Sequence, residues 1–339
     1  MPGGPTQEAP IQRFACGSGV TMFGKLLDSA PLRRWSRHSP FLRWLRSAQE
    51  LRWVLSSGGQ AIFLEYPVQP RPRWGYGAPP HPRLNRLMET GRERYAHLLA
   101  QLPAFAAGLG RIPLTGGTAG EPVWENDFCR GLNAASLYAF PALFASRHYL
   151  EIGSGHSTRF VRRGCRDHGL AMSITSIDPQ PRAAVDALCD AFIREPLEAL
   201  DPAVVDTLEA NDILMIDSSH RCFQNSDVTA VFLDLLPRLK AGVLVYIDDI
   251  YLPLDYPPHW HDHYYSEQYL LAVLLMADAG RRYEILLPCT FIAGDAELRS
   301  AVDALWDGVA RGHQGYGNGI WLRVRSDSAA QGARGAPAP

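Results

Sequence analysis

Acidic and imidazole side chains follow four short apolar segments of this 339-residue chain. Glu151 lies at the end of YLEI, and Asp178 follows SITSI. DSSH (217–220) follows DILMI, and the pair Asp248 and Asp249 follows VLVYI. In an open parallel sheet, ligands bind beyond the carboxyl ends of the strands. This spacing therefore predicts a single site along one sheet edge.

The segment after Glu151 has the composition of a ligand-binding turn. Glycine lacks Cβ and tolerates positive φ, and a helix N-terminus offers free N–H groups. We therefore predict that the turn residues Gly153, Ser154, Gly155 and Ser157 contact a nucleotide-like cofactor. Thr158 replaces the third glycine of a dinucleotide fingerprint, and no Walker lysine follows the second glycine, which favours a cofactor without pyrophosphate.

Two carboxylates flank this turn. Glu151 precedes it, where a cationic amino-acid cofactor could use the carboxylate directly or through water. Asp178 lies 23 residues after Gly155, where an acidic group can accept hydrogen bonds from both hydroxyls of a ribose. The alternative is that Asp178 only caps a helix after Pro179.

Two interpretations fit the residues after the fourth and fifth predicted strands. In one, His220 or Asp249 is a general base and Asp217 positions the cofactor or the substrate. In the other, Asp217 with Asp248 or Asp249, and with His220 as a further ligand, holds Mg²⁺ or another divalent cation. Such an ion would lower the pKa of a substrate hydroxyl. Purely structural roles for His220 and Asp248 remain the alternative.

The segment YLPLDYPPHWHDHYYSEQ (251–268) is rich in aromatic residues and histidines. Because it follows the fifth strand directly, we expect it to overhang the site and to exclude water. Candidate substrate contacts are Tyr251, Tyr256, Trp260 and His261. The alternatives are a loop packed by its own rings, or histidines spaced by two that bind a metal.

Apolar segments of strand length alternate with helical patterns from about residue 126 onward. Continuous apolar strands separated by helices indicate an α/β fold with a parallel sheet covered on both faces. The predicted strands are 149–152, 173–177, 212–216, 243–247, 282–287 and 319–324. The predicted helices are 84–101, 157–168, 181–190, 203–210, 226–239 and 264–279.

The same patterns divide the chain into regions. We expect disorder over 1–10 and 326–339, a helical and Pro-rich accessory region over 11–125, and a cofactor-binding domain over 126–325. Residues 33–52 form a basic amphipathic pattern. A helix packed on the main domain is the favoured interpretation, and peripheral membrane contact is the alternative.

Composition limits the class of protein. The chain is 46% hydrophobic and 20% charged with a net charge of −2, which is typical of a globular protein and gives no reason to expect nucleic acid. Its six cysteines form no C-x-x-C pair, which argues against a zinc knuckle or a disulfide framework. No stretch approaches the roughly 20 apolar residues that span a bilayer, and no secretion signal is visible. We therefore expect a soluble cytoplasmic protein.

The run from Tyr149 to about Thr290 resembles bacterial class I S-adenosylmethionine-dependent methyltransferases, in the group called methyltransferase type 24. The resemblance is carried by EIGSGHST, ITSIDPQPR, DILMIDSSH, NSDV, LPRLKAGVLVYIDDIYLPLDYP and EQYLL. It implies a Rossmann-like, seven-stranded, mostly parallel sheet with an antiparallel hairpin at the last strand. It also implies S-adenosylmethionine bound by Glu151, Gly153, Gly155 and Asp178.

One position departs from the group's pattern, because a His-Asp pair is common where this chain has Asp248-Asp249. The leading hypothesis is methyl transfer to a hydroxyl of a small-molecule or glycan acceptor, by in-line displacement with help from a base or a metal. Two other classes stay open. One is a nicotinamide-dependent oxidoreductase, against which Thr158 counts, and the other is a non-catalytic cofactor-binding protein.

Overall fold

The computed structural model describes positions 48, 62 and 309 and the ranges 64–66, 68–118, 120–181, 184–306 and 315–326, without the side chain at 304. The chain divides into two compact units, 1–69 and 70–339. Nearly all of the first unit lies outside the described residues. The expected disorder over 1–10 and the expected helix over 33–52, except for position 48, therefore lie outside the described residues. The expected disordered tail lies outside them as well, from 327 onward.

A seven-stranded sheet forms the centre of the second unit, in the order β3-β2-β1-β4-β5-β7-β6. The pairs among β1 to β5 are parallel, and β7 runs antiparallel to both of its neighbours. The strands are β1 His148–Ile152, β2 Ser173–Ile177, β3 Ala191–Ile193, β4 Ile213–Ile216, β5 Leu244–Ile247, β6 Tyr283–Pro288 and β7 Ile320–Val324. The predicted Rossmann-like, seven-stranded, mostly parallel α/β sheet is confirmed.

The central strands are buried on both faces. All four residues of β4 and of β5 are buried, which is why these segments are apolar throughout instead of alternating. From β1 the chain proceeds to β2 and β3 on one side of the sheet, and it then returns to β4 and β5 on the other. The strand order therefore reverses between β1 and β4, and ligands of open α/β sheets bind outside that point.

Ten α-helical segments accompany the sheet among the described residues. They are α1 Pro82–Glu89, α2 Arg92–Leu99, α3 Ala106–Leu109, α4 Gly131–Leu143, α5 His156–Asp167, α6 Asp227–Ala230, α7 Leu236–Arg238, α8 Glu267–Asp278, α9 Cys289–Gly294 and α10 Ala296–Trp306. A π-helical turn, Val231–Leu235, joins α6 to α7. None of the described helices combines the length and the apolar character that crossing a bilayer requires.

Three predicted helices differ from the structure. The single helix expected over 84–101 is broken between α1 and α2 at Gly91, where a Cβ would lie 2.3 Å from the Tyr95 hydroxyl. The helix expected over 181–190 is wrong, since the described part is a 3-10 turn, Asp186–Leu188, followed by the unpredicted strand β3. The helix expected over 203–210 is instead a 3-10 helix, Pro202–Thr207. Short elements of this kind carry too few residues for a periodic pattern.

The division between units does not coincide with the predicted boundary at 125/126. The second unit begins at Pro70, and Leu84, Met88 and Tyr95 belong to the same hydrophobic core as the sheet. The segment before α4 is therefore part of the unit that holds the sheet.

Candidate active site

The turn after β1 lies directly against the end of β4. Gly153 has φ +80°, and a Cβ at this position would stand 1.8 Å from the backbone oxygen of Asp217. Only glycine permits both this backbone conformation and this approach. The structure thus brings together two segments that the sequence predicted to share one sheet edge.

Glu151 lies beneath this turn and is fully buried. Its Oε1 accepts a 2.7 Å hydrogen bond from the Thr158 hydroxyl, whose oxygen accepts a 3.1 Å hydrogen bond from the Gly155 N–H. Its Oε2 is buried without a hydrogen-bond partner among the described residues. Burial raises the pKa of Glu151 to about 8, because the ionised carboxylate loses solvation.

Asp178 reaches the turn from the end of β2. Its Oδ2 accepts hydrogen bonds from the backbone N–H and the hydroxyl of Ser154, each 2.9 Å long. Its Oδ1 accepts a 2.8 Å hydrogen bond from the Gln180 N–H. Gln180 is not helical, so this last contact closes a local turn instead of capping a helix at that point.

His220 is the centre of a cluster of carboxylates at the ends of β4 and β5. It is 4% exposed, and its Nδ1 lies 2.8 Å from Oε2 of Glu267. Its Nε2 lies 3.3 Å from Oδ1 of Asp217 and 3.4 Å from Oδ2 of Asp249. Burial lowers the pKa of His220, but the hydrogen bonds to Asp217 and Glu267 outweigh it and raise this pKa well above its usual value. The direction of this shift favours the protonated ring.

Asp248 and Asp249 follow β5 but have different surroundings. Asp248 is 5% exposed, and its Oδ1 accepts hydrogen bonds from Tyr246 and Asn133, both 2.8 Å long. Burial raises the pKa of Asp248 well above its usual value. The Asp249 side chain keeps 21% of its surface exposed, and burial raises its pKa to about 6.

Two asparagines connect these carboxylates. Asn318 donates from Nδ2 to Oδ1 of Asp249 at 2.7 Å and to the Tyr251 hydroxyl at 3.0 Å. Asn133 donates to Oδ1 of Asn318 at 2.9 Å as well as to Asp248. The network therefore fixes the orientation of both aspartates relative to Tyr251.

Sequence reasoning missed Asn133, Asn318 and Tyr246. Asn318 comes just before β7, and β7 is antiparallel to β5, so the beginning of β7 lies at the same edge as the end of β5. The resemblance implied an antiparallel last strand, and this strand direction was the signal that could have placed Asn318 beside Asp249. Asn133, in α4, follows no strand, and no sequence pattern marks it.

The arrangement does not fit the divalent cation considered for Asp217, Asp248 and Asp249. Nε2 of His220 already bridges the carboxylates of Asp217 and Asp249, at 3.3 and 3.4 Å. Oδ1 of Asp248 already accepts two hydrogen bonds. The described part of the chain contains no group of three or more histidine, cysteine or acidic side chains that could hold a metal ion.

The aromatic loop, residues 251–266, packs largely on its own rings. The ring of Trp260 lies 5.3 Å from that of Tyr251, 5.5 Å from that of Tyr265 and 6.2 Å from that of Tyr256. This packing matches the alternative considered above, in which the loop is packed by its own rings. Tyr265 also stands 4.8 Å from the His220 ring, so the loop abuts the carboxylate cluster. By contrast, Nδ1 of His261 faces the Pro258 carbonyl oxygen at 3.1 Å.

Residues 73–74, in the Pro-rich part of the predicted accessory region, hold the aromatic loop in place. Asp255 is 5% exposed, and its Oδ2 accepts hydrogen bonds from the N–H groups of Arg73 at 2.6 Å and Trp74 at 3.1 Å. Its Oδ1 accepts a 3.2 Å hydrogen bond from the Tyr269 hydroxyl. A buried carboxylate thus joins residues 73–74, the aromatic loop and α8.

Comparison with known proteins gives one family and several similar structures. Residues 150–250 match the family model described as a methyltransferase domain. No curated protein matches the chain.

Three similar solved structures are methyltransferases. One is PaMTH1 from Podospora anserina bound to SAH, at 17% identity and TM-score 0.35, covering 57% of this chain and 78% of that one. Another is the O-methyltransferase TomG from Streptomyces achromogenes with SAM. Its sequence identity is 17% and its TM-score is 0.33, and the match covers 67% of this chain and 90% of that one. A third is an O-methyltransferase from Bacillus cereus with SAH. Its sequence identity is 14% and its TM-score is 0.34, and the match covers 68% of this chain and 90% of that one.

Proposed function

We propose that this chain, whose residues 150–250 match a methyltransferase domain, transfers a methyl group from S-adenosylmethionine to a hydroxyl of a small-molecule or glycan acceptor. The observation that carries the proposal is the meeting of three features at one sheet edge. These are the glycine turn after β1, Asp178 hydrogen-bonded to Ser154, and the cluster around His220.

The residues around the turn fit this cofactor. Both flanking groups, Glu151 and Asp178, are carboxylic acids, and Glu151 keeps one buried oxygen without a hydrogen-bond partner among the described residues. Carboxyl oxygens suit a ligand that offers hydroxyl or ammonium donors better than one with phosphates, which offer acceptors. Asp178 would hold the ribose, and Gly153, Ser154 and Ser157 would line the rest of the turn. When bound, S-adenosylmethionine supplies an electrophilic methyl group attached to a sulfonium.

Asp249 is the proposed general base. Above its pKa of about 6 it is ionised at neutral pH, and its side chain is more exposed than that of His220, at 21% against 6%. Asp249 would take the proton of the acceptor hydroxyl during the in-line displacement, in which the methyl–sulfur bond would break and S-adenosylhomocysteine would leave. His220, an imidazolium held by Glu267, would orient Asp217 and Asp249. A protonated ring cannot accept a proton, so His220 is assigned to positioning.

The acceptor would bind between Asp249 and the aromatic loop. The half-buried rings of Tyr251 and Trp260 would contact a sugar or an aromatic acceptor, and the buried Tyr256 would support them. Together they would keep water from the reacting groups. His261 faces a carbonyl of its own loop, which makes it the weakest of the four candidate contacts. Incubation with labelled S-adenosylmethionine and a panel of phenols and sugars would identify the acceptor by the transferred label.

Isothermal titration with S-adenosylmethionine and S-adenosylhomocysteine tests the cofactor. We expect the wild type to bind both, and Asp178→Ala to bind each about tenfold or more weakly, because each lost ribose hydrogen bond to a charged group contributes roughly 1.5–3 kcal/mol. Asp186→Asn, a surface carboxylate paired with Arg194, is the control. A wild type that binds neither ligand would end the proposal, and binding of NAD⁺ in its place would favour an oxidoreductase.

A further inference from the structure

Thr158, in the first turn of α5, is the position at which this chain departs from a dinucleotide-binding turn. The side chain is fully buried. Its hydroxyl oxygen accepts a hydrogen bond from the Gly155 N–H at 3.1 Å, and its hydrogen is donated to Glu151 at 2.7 Å. One hydroxyl thus connects the tip of the turn to the carboxylate beneath it.

The neighbouring N–H group of the turn is also occupied. The Ser154 N–H donates to Oδ2 of Asp178 at 2.9 Å. In phosphate-binding turns, successive N–H groups point outward and hold the anion. Here the N–H groups of both Ser154 and Gly155 are satisfied by side chains of the same domain.

The acceptors at these two N–H groups differ in kind. Asp178 is contributed by the next strand, and any ligand that places hydroxyls there can share its carboxylate. Thr158 has no exposed surface, so its oxygen is reserved for Gly155. A phosphate would have to displace that buried hydroxyl to reach the Gly155 N–H.

We propose that Thr158 determines the class of cofactor that the turn accepts. Its hydroxyl oxygen accepts the hydrogen bond of the Gly155 N–H, so this N–H cannot bind a phosphate, and the turn is fixed in a form suited to an adenosine ligand without phosphate. This inference rests on the proposed function, since it concerns the same cofactor site. Thr158 acts through Gly155 and Glu151 and is therefore a positioning residue.

The test compares the affinities for adenosine and for ADP, which share the nucleoside and differ in the phosphates. The variants are Thr158→Gly and Thr158→Val, which lack the hydroxyl, and Thr158→Ser, which retains it. We expect the wild type and Thr158→Ser to bind adenosine more tightly than ADP. In Thr158→Gly, which opens the space beside the Gly155 N–H, the preference for adenosine should fall about tenfold, the effect of a hydrogen bond to a charged group. In Thr158→Val, a methyl group fills the place of the hydroxyl, so phosphate stays excluded and the preference should not change. A change that only loosens the fold would weaken both ligands alike.

The same titrations with S-adenosylmethionine separate two kinds of failure. If the wild type binds S-adenosylmethionine and Thr158→Gly keeps the wild-type preference for adenosine, the inference about Thr158 is overturned and the proposed function stands. If the wild type prefers ADP to adenosine, the inference is likewise overturned. If the wild type does not bind S-adenosylmethionine, the proposed function itself fails.

Discussion

At the scale of single residues, the site depends on how differently its acidic groups are solvated. Asp248 is almost completely buried and tied to Tyr246, whereas Asp249 is accessible and contacts His220. Burial raises the pKa of both carboxyls, and that of Asp249 reaches about 6. Adjacent positions in the chain therefore have different chemical properties, and only Asp249 is suited to exchange a proton with a substrate near neutral pH.

The pH dependence of methyl transfer should follow Asp249. A base is active when deprotonated, so kcat/KM should rise with pH below about 6 and level off above it. Asp249→Asn should lower kcat by about 10²- to 10⁴-fold and leave cofactor binding intact. Initial rates between pH 5 and 8 would check this, with exposed Asp234→Asn as the control. A rate that does not change over this range, or a fully active Asp249→Asn, would contradict the assignment.

Removal of divalent ions should leave activity unchanged. Nε2 of His220 lies between Asp217 and Asp249, where a protonated ring would supply the positive charge that an ion would bring. The measurement is the rate of methyl transfer after dialysis against a chelator and after addition of Mg²⁺. Loss of activity on chelation, restored by Mg²⁺, would show that the cluster rearranges around a metal.

At the scale of elements, close approaches between loops position the site. The turn after β1 touches the backbone after β4, and the N–H groups of Ser266 and Glu267 donate to the carbonyl oxygen of His220. The aromatic loop is joined to residues 73–74 through Asp255. Each contact joins segments that are far apart in sequence, so a change in one loop should affect the others.

Gly153→Ala should destabilise the fold and weaken cofactor binding. The new Cβ would collide with the Asp217 oxygen at φ +80°, and steric conflict together with backbone strain costs about 3 kcal/mol. Chemical denaturation would measure the free energy of unfolding. Gly169→Ala is the matched control, since Gly169 has φ +64° but open space where a Cβ would stand. Equal losses in the two variants would mean that the contact with Asp217 contributes nothing.

Asp255→Ala should impair acceptor binding more than cofactor binding. The substitution leaves the N–H groups of Arg73 and Trp74 without their acceptor, and the unpaired groups cost about 1–3 kcal/mol each where they are buried. We expect KM for the acceptor to rise while the Kd of S-adenosylhomocysteine stays the same. Asp278→Ala, which removes a similar acceptor from Arg282 and Tyr283, is the control. A parallel rise in both constants would argue against a role specific to the aromatic loop.

At the scale of the whole molecule, every residue assigned to the site lies in the unit from 70 to 339. A chain that begins at residue 70 should therefore bind S-adenosylhomocysteine with the affinity of the full chain, because it retains the turn, Asp178 and the core around α1 and α2. Parallel titrations would measure this. A shortened chain that folds, as judged by circular dichroism, but does not bind would assign part of the site to residues 1–69.

The sequence by itself determined the central strands, the glycine turn and the carboxylates after the strands. These features are local: a strand buried on both faces needs four or more consecutive apolar residues, as in ILMI and LVYI. The order of such segments also predicted that Glu151, Asp178, Asp217 and Asp249 share one edge. The three-residue strand β3 and the 3-10 turns carry no such periodic signal.

Only the tertiary structure decided which side chains meet. His220 pairs with Glu267 47 positions away, and Asn318 reaches Asp249 across 69 positions. His220 and Asp249 have φ values of +58° and +54°, which their residue types do not predict. Burial, and with it the charge state of each group, follows from packing around the whole sheet. For this reason the sequence named both His220 and Asp249 as possible bases, whereas their surroundings in the folded chain favour Asp249.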